Sequence, residues 1–140
     1  TTYPSFQIFD APTRETCTVQ RPRTNTPLQA LVLLNDPTYV EAARQFAVKT
    51  LQQGGATSEQ RLAFAFQQAL SRNPLEHEQA LLLDLYEKHL AEYQEDRPSA
   101  ALLAKVGLAT TPADIDAAEL AAWTSVARVI LNLHETITRY

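Results

Sequence analysis

From position 27 onward, apolar side chains recur every three or four residues, the spacing that lines one face of an α-helix. Each such run is bracketed by residues that start or stop helices. Thr26 followed by Pro27 is an N-cap with a first-turn proline, and Leu28, Leu31, Val32 and Leu34 fill a short helix that stops near Asn35. Asp36-Pro37 repeats the signal. The next helix runs to about Gln53, with Val40, Ala43, Ala47 and Leu51 on one face, and Gly54-Gly55 end it by supplying left-handed backbone. Thr57 with Gln60 three residues later forms a capping box for a helix striped by Leu62, Phe66, Ala69 and Leu70, which Arg72-Asn73-Pro74 stops.

A longer amphipathic helix is predicted from about Leu75 to Glu95. Leu82, Leu85, Tyr86, His89 and Tyr93 share one face, and Glu78, Asp84, Glu87, Lys88 and Glu92 occupy the others. Pro98 starts a short helix over 99–106 with Gly107 as its cap, and Thr111-Pro112 marks a turn or restart. The last helix begins near Asp116 and continues from Ala117 to about Leu133. It is apolar on nearly all sides (Leu120, Trp123, Val126, Val129, Ile130), the pattern of a central buried helix around which the others pack. Within it, Arg128 and Asn132 lie four apart, and a buried Arg must find a partner.

Residues 1–26 differ. They are rich in Pro, Arg and Thr, and alternation is confined to two short stretches, Phe6 to Phe9 and Cys17 to Val19. The expectation is an extended arm, with a possible short hairpin, laid against a helical body over 27–140. No period of 20 to 50 residues recurs, which disfavours a solenoid. The fold class predicted is all-α: one domain over 1–140, an irregular bundle of five or six helices.

Length and composition agree with that picture. A chain of 140 residues, 45% hydrophobic, buries roughly two-thirds of its unfolded surface on folding, enough for its own core. Twelve Lys and Arg against 16 Asp and Glu give a net charge of −4, which argues against nucleic acid as a partner. Apolar runs stay far short of the ~20 residues a membrane span needs, and no basic-then-apolar leader opens the chain.

Chemistry has few footholds. His77-Glu78 and His134-Glu135 lack the second His of a metalloprotease helix, since Leu81 and Thr138 stand there. His89 falls on its helix's apolar stripe, as a packed imidazole does. No metal or other cofactor is assigned to this domain. Cys17 has Glu15 as its nearest charge, so nothing local activates it; a buried small residue and a disulfide to a segment outside this chain both remain open. The polar cluster of the arm stands out: Asp10, Arg14, Glu15, Arg21, Arg23, Asn25 and Thr26. Arg14, Arg21, Arg23, Asn25 and Thr26 are the candidate ligand-binding residues, because guanidinium groups beside a helix N-terminus favour an anion such as carboxylate, sulfate or phosphate. The alternative is that these Arg tie the arm to the body through Asp10, Glu15 or Asp36.

Three stretches carry a likeness to a known family: Phe9-Asp-Ala-Pro-Thr-Arg-Glu-Thr-Cys17; Arg23-Thr-Asn-Thr-Pro-Leu-Gln-Ala-Leu-Val-Leu-Leu-Asn-Asp-Pro37; and Ala121-Ala-Trp-Thr-Ser-Val-Ala-Arg-Val-Ile-Leu-Asn-Leu133. With Leu70-Ser-Arg72 and Thr138-Arg139, they resemble the later portion of planctomycete domain-of-unknown-function family 1553. Where that family usually has Asn-Leu-Asp-Glu-Phe, this chain has Asn132-Leu-His134-Glu-Thr136. The resemblance implies the C-terminal part of a large exported protein, periplasmic or extracellular, whose upstream domains look like c-type cytochromes. This chain has no Cys-x-x-Cys-His, so any haem would be carried upstream. The expected function is a non-catalytic helical binding or docking module whose partners are other domains of the same protein. The alternative has the arm contributing Asp10, Arg14, Arg23 or Asn25 to an enzyme site completed upstream, acting on polysaccharide or sulfated sugars.

Overall fold

In the computed structural model, which describes residues 8–11, 19, 24 and 26–137, the six predicted helices are present and a one-turn helix follows them. In chain order they are α1 (Pro27–Asn35), α2 (Pro37–Gln53), α3 (Ser58–Leu70), α4 (Glu76–Glu95), α5 (Arg97–Leu103), α6 (Ala117–Leu131) and α7 (His134–Ile137). No strand occurs among the described residues. The hairpin expected at 6–9 and 17–19 lies largely outside them; the part within view, Ile8 to Asp10, is helical and turn backbone. No described helix is long and apolar enough to cross a membrane.

Local signals set most boundaries. Thr26 and Thr57 cap α1 and α3 with complete capping boxes to Gln29 and Gln60, and Asp36 caps α2 by accepting the Thr38 N–H. Three boundaries differ from the sequence pattern. Gly54 stays right-handed and only Gly55 turns left-handed, with φ 99°. The short helix starts at Arg97 because the Asp96 carboxylate caps it through the Ser99 N–H, and Gly107 falls beyond its end in the following loop. The last long helix ends at Leu131, where Asn132 caps it and α7 turns away.

α6 is the centre. It packs chiefly against α2 and α4, then α5, with α3 and α1 at its flanks. Residues 120–127 of α6 are buried without interruption. Leu120, Trp123, Val126 and Ile130 meet Ala43, Ala47 and Val48 of α2, Leu62 and Phe66 of α3, and Leu82 and Tyr86 of α4 in one apolar cluster. Trp123, 1% exposed, lies against Tyr86 with ring centroids 4.9 Å apart. The two buried hydroxyls of α6 create no deficit, because Thr124 and Ser125 donate to the carbonyls of Leu120 and Ala121 one turn back. Arg128 finds its partner in the Leu34 carbonyl at the end of α1, where a cation also suits the helix dipole.

The α3–α4 corner and α7 share one lock. Ser71 ends α3 in the left-handed region, φ 59°, and aims Arg72 back over the bundle. Its guanidinium donates twice to the Glu78 carboxylate at 2.8 Å, bonds Glu135 of α7 at 2.8–3.1 Å, and lies 5.3 Å from the centre of the Phe66 ring. Glu78 also accepts the Leu75 N–H. The Arg72 bonds, then the Leu75 N–H, hold the Glu78 carboxyl at about 2, and Arg72 lowers Glu135 as well.

Two outcomes follow. Trp123→Ala costs ~3–5 kcal/mol in urea denaturation, because it empties the centre of the larger core cluster among the described residues. A depressed carboxyl pKa stabilises the fold above the unfolded value and loses that contribution as pH falls through the folded one. Glu78→Gln therefore destabilises the protein by about 1–2 kcal/mol at pH 7, Glu78 being partly solvated, and the difference from wild type vanishes between about pH 5 and pH 2.

Candidate functional site

The arm meets α1 through one side chain. Gln29, 1% exposed, accepts the Thr26 N–H at 2.9 Å through Oε1. Its Nε2 donates to the Ile8 carbonyl at 2.7 Å and to Thr24 Oγ1 at 3.0 Å. Thr24 in turn donates its N–H and its hydroxyl to the Asp10 carboxylate, at 2.9 and 2.6 Å. Asp10 adopts φ 57°, a conformation that Asp tolerates better than most side chains. The result is a closed clasp: each polar atom that joins arm to helix is answered by another.

Of the five residues predicted to hold an anion, only Thr26 is among those described. Its hydroxyl accepts the Gln29 N–H at 3.3 Å, so both its donor and its acceptor face Gln29. Pro27 has no N–H to offer at the first helical position. Arg14, Arg21, Arg23 and Asn25 lie outside the described residues, as does Cys17. Asp10 is bonded within the clasp to Thr24 rather than to an Arg among the described residues.

A second arrangement went unforeseen. Arg44 of α2 is 0% exposed, and its guanidinium reaches across to the segment between α5 and α6. Nε donates to Val106 O at 3.0 Å, Nη2 to Ala109 O at 2.6 Å and Nη1 to Thr111 Oγ1 at 2.7 Å. With its amide oxygen turned toward Arg44, Gln45 accepts from both terminal nitrogens at 3.1 and 3.2 Å, so all five guanidinium hydrogens have acceptors. Thr111 donates its own hydroxyl hydrogen bond to Ala104 O at 2.6 Å. One turn earlier, Glu41 Oε1 accepts the N–H groups of Leu108 and Ala109, at 2.8 and 2.7 Å. Residues 104–111 thus have no regular structure, yet their backbone is held by two side chains of a neighbouring helix. Glycine suits position 107: its φ is 94°, which other residues rarely adopt, and an added Cβ would displace the Glu41 carboxyl group.

The signal for Arg44 was present in the sequence. It falls four residues after Val40 and three before Ala47, on the buried stripe of α2, where a guanidinium must bring its own acceptors. Its partners, 62 to 67 residues away, are what the pattern conceals.

The pinned loop bounds an open cleft of about 460 Å³ lined by Ala101, Ala104, Ala117 and Thr111, with Lys105 and Leu108 exposed at its edge. Leu108 is 99% exposed and Leu102 on α5 is 70% exposed. Among the described residues no group of His, Cys, Asp and Glu is placed to hold a metal ion. What the cleft offers is apolar contact, one cation and two threonines, of which Thr111 is already hydrogen-bonded on both sides and Thr110 is exposed. Gly107→Ala destabilises the chain by about 1–3 kcal/mol in urea denaturation, since it adds both the left-handed penalty and the clash with Glu41.

The sequence signature of the PSD1 family, protein of unknown function (DUF1553), matches residues 1–86. The match takes in the arm, the clasp, Arg44 and the Leu70-Ser-Arg72 corner; the likeness at 121–133 and 138–139 lies beyond it. Neither the curated proteins nor the solved structures yield a match. Because the matched residues make up more than half of the 140, this chain belongs to the PSD1 (DUF1553) family.

Proposed function

We propose that this chain is a helical docking module of a larger exported protein, and that it holds another part of the same polypeptide against the loop between α5 and α6. One observation carries the reading: a loop pinned by a buried guanidinium and a carboxylate presents a fully solvated leucine, Leu108, at its tip. Apolar side chains on mobile loops gain little on binding, because ordering them cancels much of the contact energy. Here the ordering is already done by Arg44 and Glu41, so apolar surface buried at Leu108 and Leu102 contributes directly to affinity. The same economy appears across the described surface, where Arg61 bonds Glu119, Arg72 bonds Glu78 and Glu135, and Arg97 bonds Asp116. Charged groups spent on internal contacts suit a rigid scaffold better than a reaction centre. The sequence likeness supplies the setting, upstream domains resembling c-type cytochromes in an exported protein.

The test places p-benzoylphenylalanine at position 108 of the full-length gene product. Irradiation is expected to give a cross-link from position 108 to a residue outside the 140-residue chain, mapped by peptide mass spectrometry. Exclusive cross-linking within the chain, or none, overturns the docking reading.

A further inference from the structure

We infer that the segment seated at the α5–α6 cleft presents an aliphatic or aromatic side chain next to a carboxylate, the apolar group entering the cleft and the carboxylate pairing with Lys105. This rests on the docking reading and adds the chemistry of the partner. The apolar half follows from the lining. Ala101, Ala104 and Ala117 end in methyl groups and leave about 460 Å³ open beside Leu108, so the wall lacks the large side chain that would fill it. Contacts forfeited on one side of such a wall are regained when a large apolar group interdigitates.

The charged half follows from what surrounds Lys105. Two carboxylates around the loop are already engaged, Glu41 with the Leu108 and Ala109 N–H groups and Asp116 with the Ala118 and Glu119 N–H groups and with Arg97, while Asp114 is exposed and stands outside the residues that line the cleft. The side chains of Lys105 and of Lys88 on α4 have no hydrogen-bond or ion-pair partner among the described residues, whereas Lys49 bonds Gln68 and the described arginines are all bonded within the chain; of the two unpaired lysines, Lys105 is the one that lines the cleft. On a chain of net charge −4, an incoming carboxylate is repelled over most of the surface, and Lys105 marks a place beside the cleft where it is accepted. An exposed pair of this kind adds little affinity; it fixes orientation and register.

The experiment uses the same full-length protein with the photoreactive group at position 108, now carrying Lys105→Glu or Lys105→Arg. Lys105→Glu is expected to lower the cross-link yield about three- to tenfold, exchanging attraction for repulsion, and Lys105→Arg to preserve it. The cross-linked peptide is expected to contain an Asp or Glu close to an apolar residue, and changing that acid to Lys is expected to restore the yield in the Lys105→Glu background. Far-ultraviolet circular dichroism and the thermal midpoint confirm that each variant is folded; Lys105 is exposed, so both are expected to match wild type. An undiminished yield with Lys105→Glu, or a cross-linked segment without an acid, overturns the inference while docking stands. A missing cross-link in the Lys105 protein removes docking itself, and the two failures are thereby told apart.

Discussion

The molecule is organised by the demand that α6 be dry on nearly every side. A helix with an ordinary polar face asks to be covered once; α6 asks to be surrounded, and α2, α4, α5, α3 and α1 are arranged to do it. Alanines at 118, 121, 122 and 127 let neighbouring helices approach, and Trp123 with Leu120, Val126 and Ile130 fills the space between them. Burying a whole helix leaves its first N–H groups without water, and the Asp116 carboxylate answers two of them. The Thr124 and Ser125 hydroxyls bond back along the helix and Arg128 reaches the end of α1, while Trp123 Nε1, Arg128 Nε and Asn132 Oδ1 are buried without a hydrogen bond among the described residues.

The same requirement, met in reverse, governs the segments without helix. Backbone that lacks regular hydrogen bonds must find partners elsewhere, and four helical side chains supply them. Gln29 collects the arm, Arg44 with Glu41 collects the α5–α6 loop, and Glu78 receives both Arg72 and the Leu75 N–H at the α3–α4 corner. Each is a polar group from a rigid element aimed at irregular chain. The loop so held becomes a fixed surface with an apolar tip, and the functional reading begins there.

Membership in the PSD1 family meets the structure most directly at the run Arg23 to Gln29. Thr24, Thr26 and Gln29 of that run have polar groups engaged with one another and with Asp10 and Ile8, so these three side chains join segments 14 to 21 residues apart and hold the arm to the first helix.

Caps, prolines and the stripe of each helix were legible along the chain because they act within one turn: Thr26-Pro27, Asp36-Pro37, the box from Thr57 to Gln60, and the apolar belt of α6. The ends of helices were less so. Ser71 takes a left-handed conformation that its identity does not announce, and α7 is tied to the α3–α4 corner by Arg72 reaching Glu135, 63 residues along. Arg44 was visible as a cation on a buried stripe, yet nothing near it in the chain names Val106, Ala109 or Thr111 as its acceptors. Helix content and the identity of the central helix are set by short-range propensity and periodicity, which a linear chain already contains. Which loop each buried polar group holds, and so where a cleft lies open, depends on how the helices come together, because those partners become neighbours only once α6 has been enclosed.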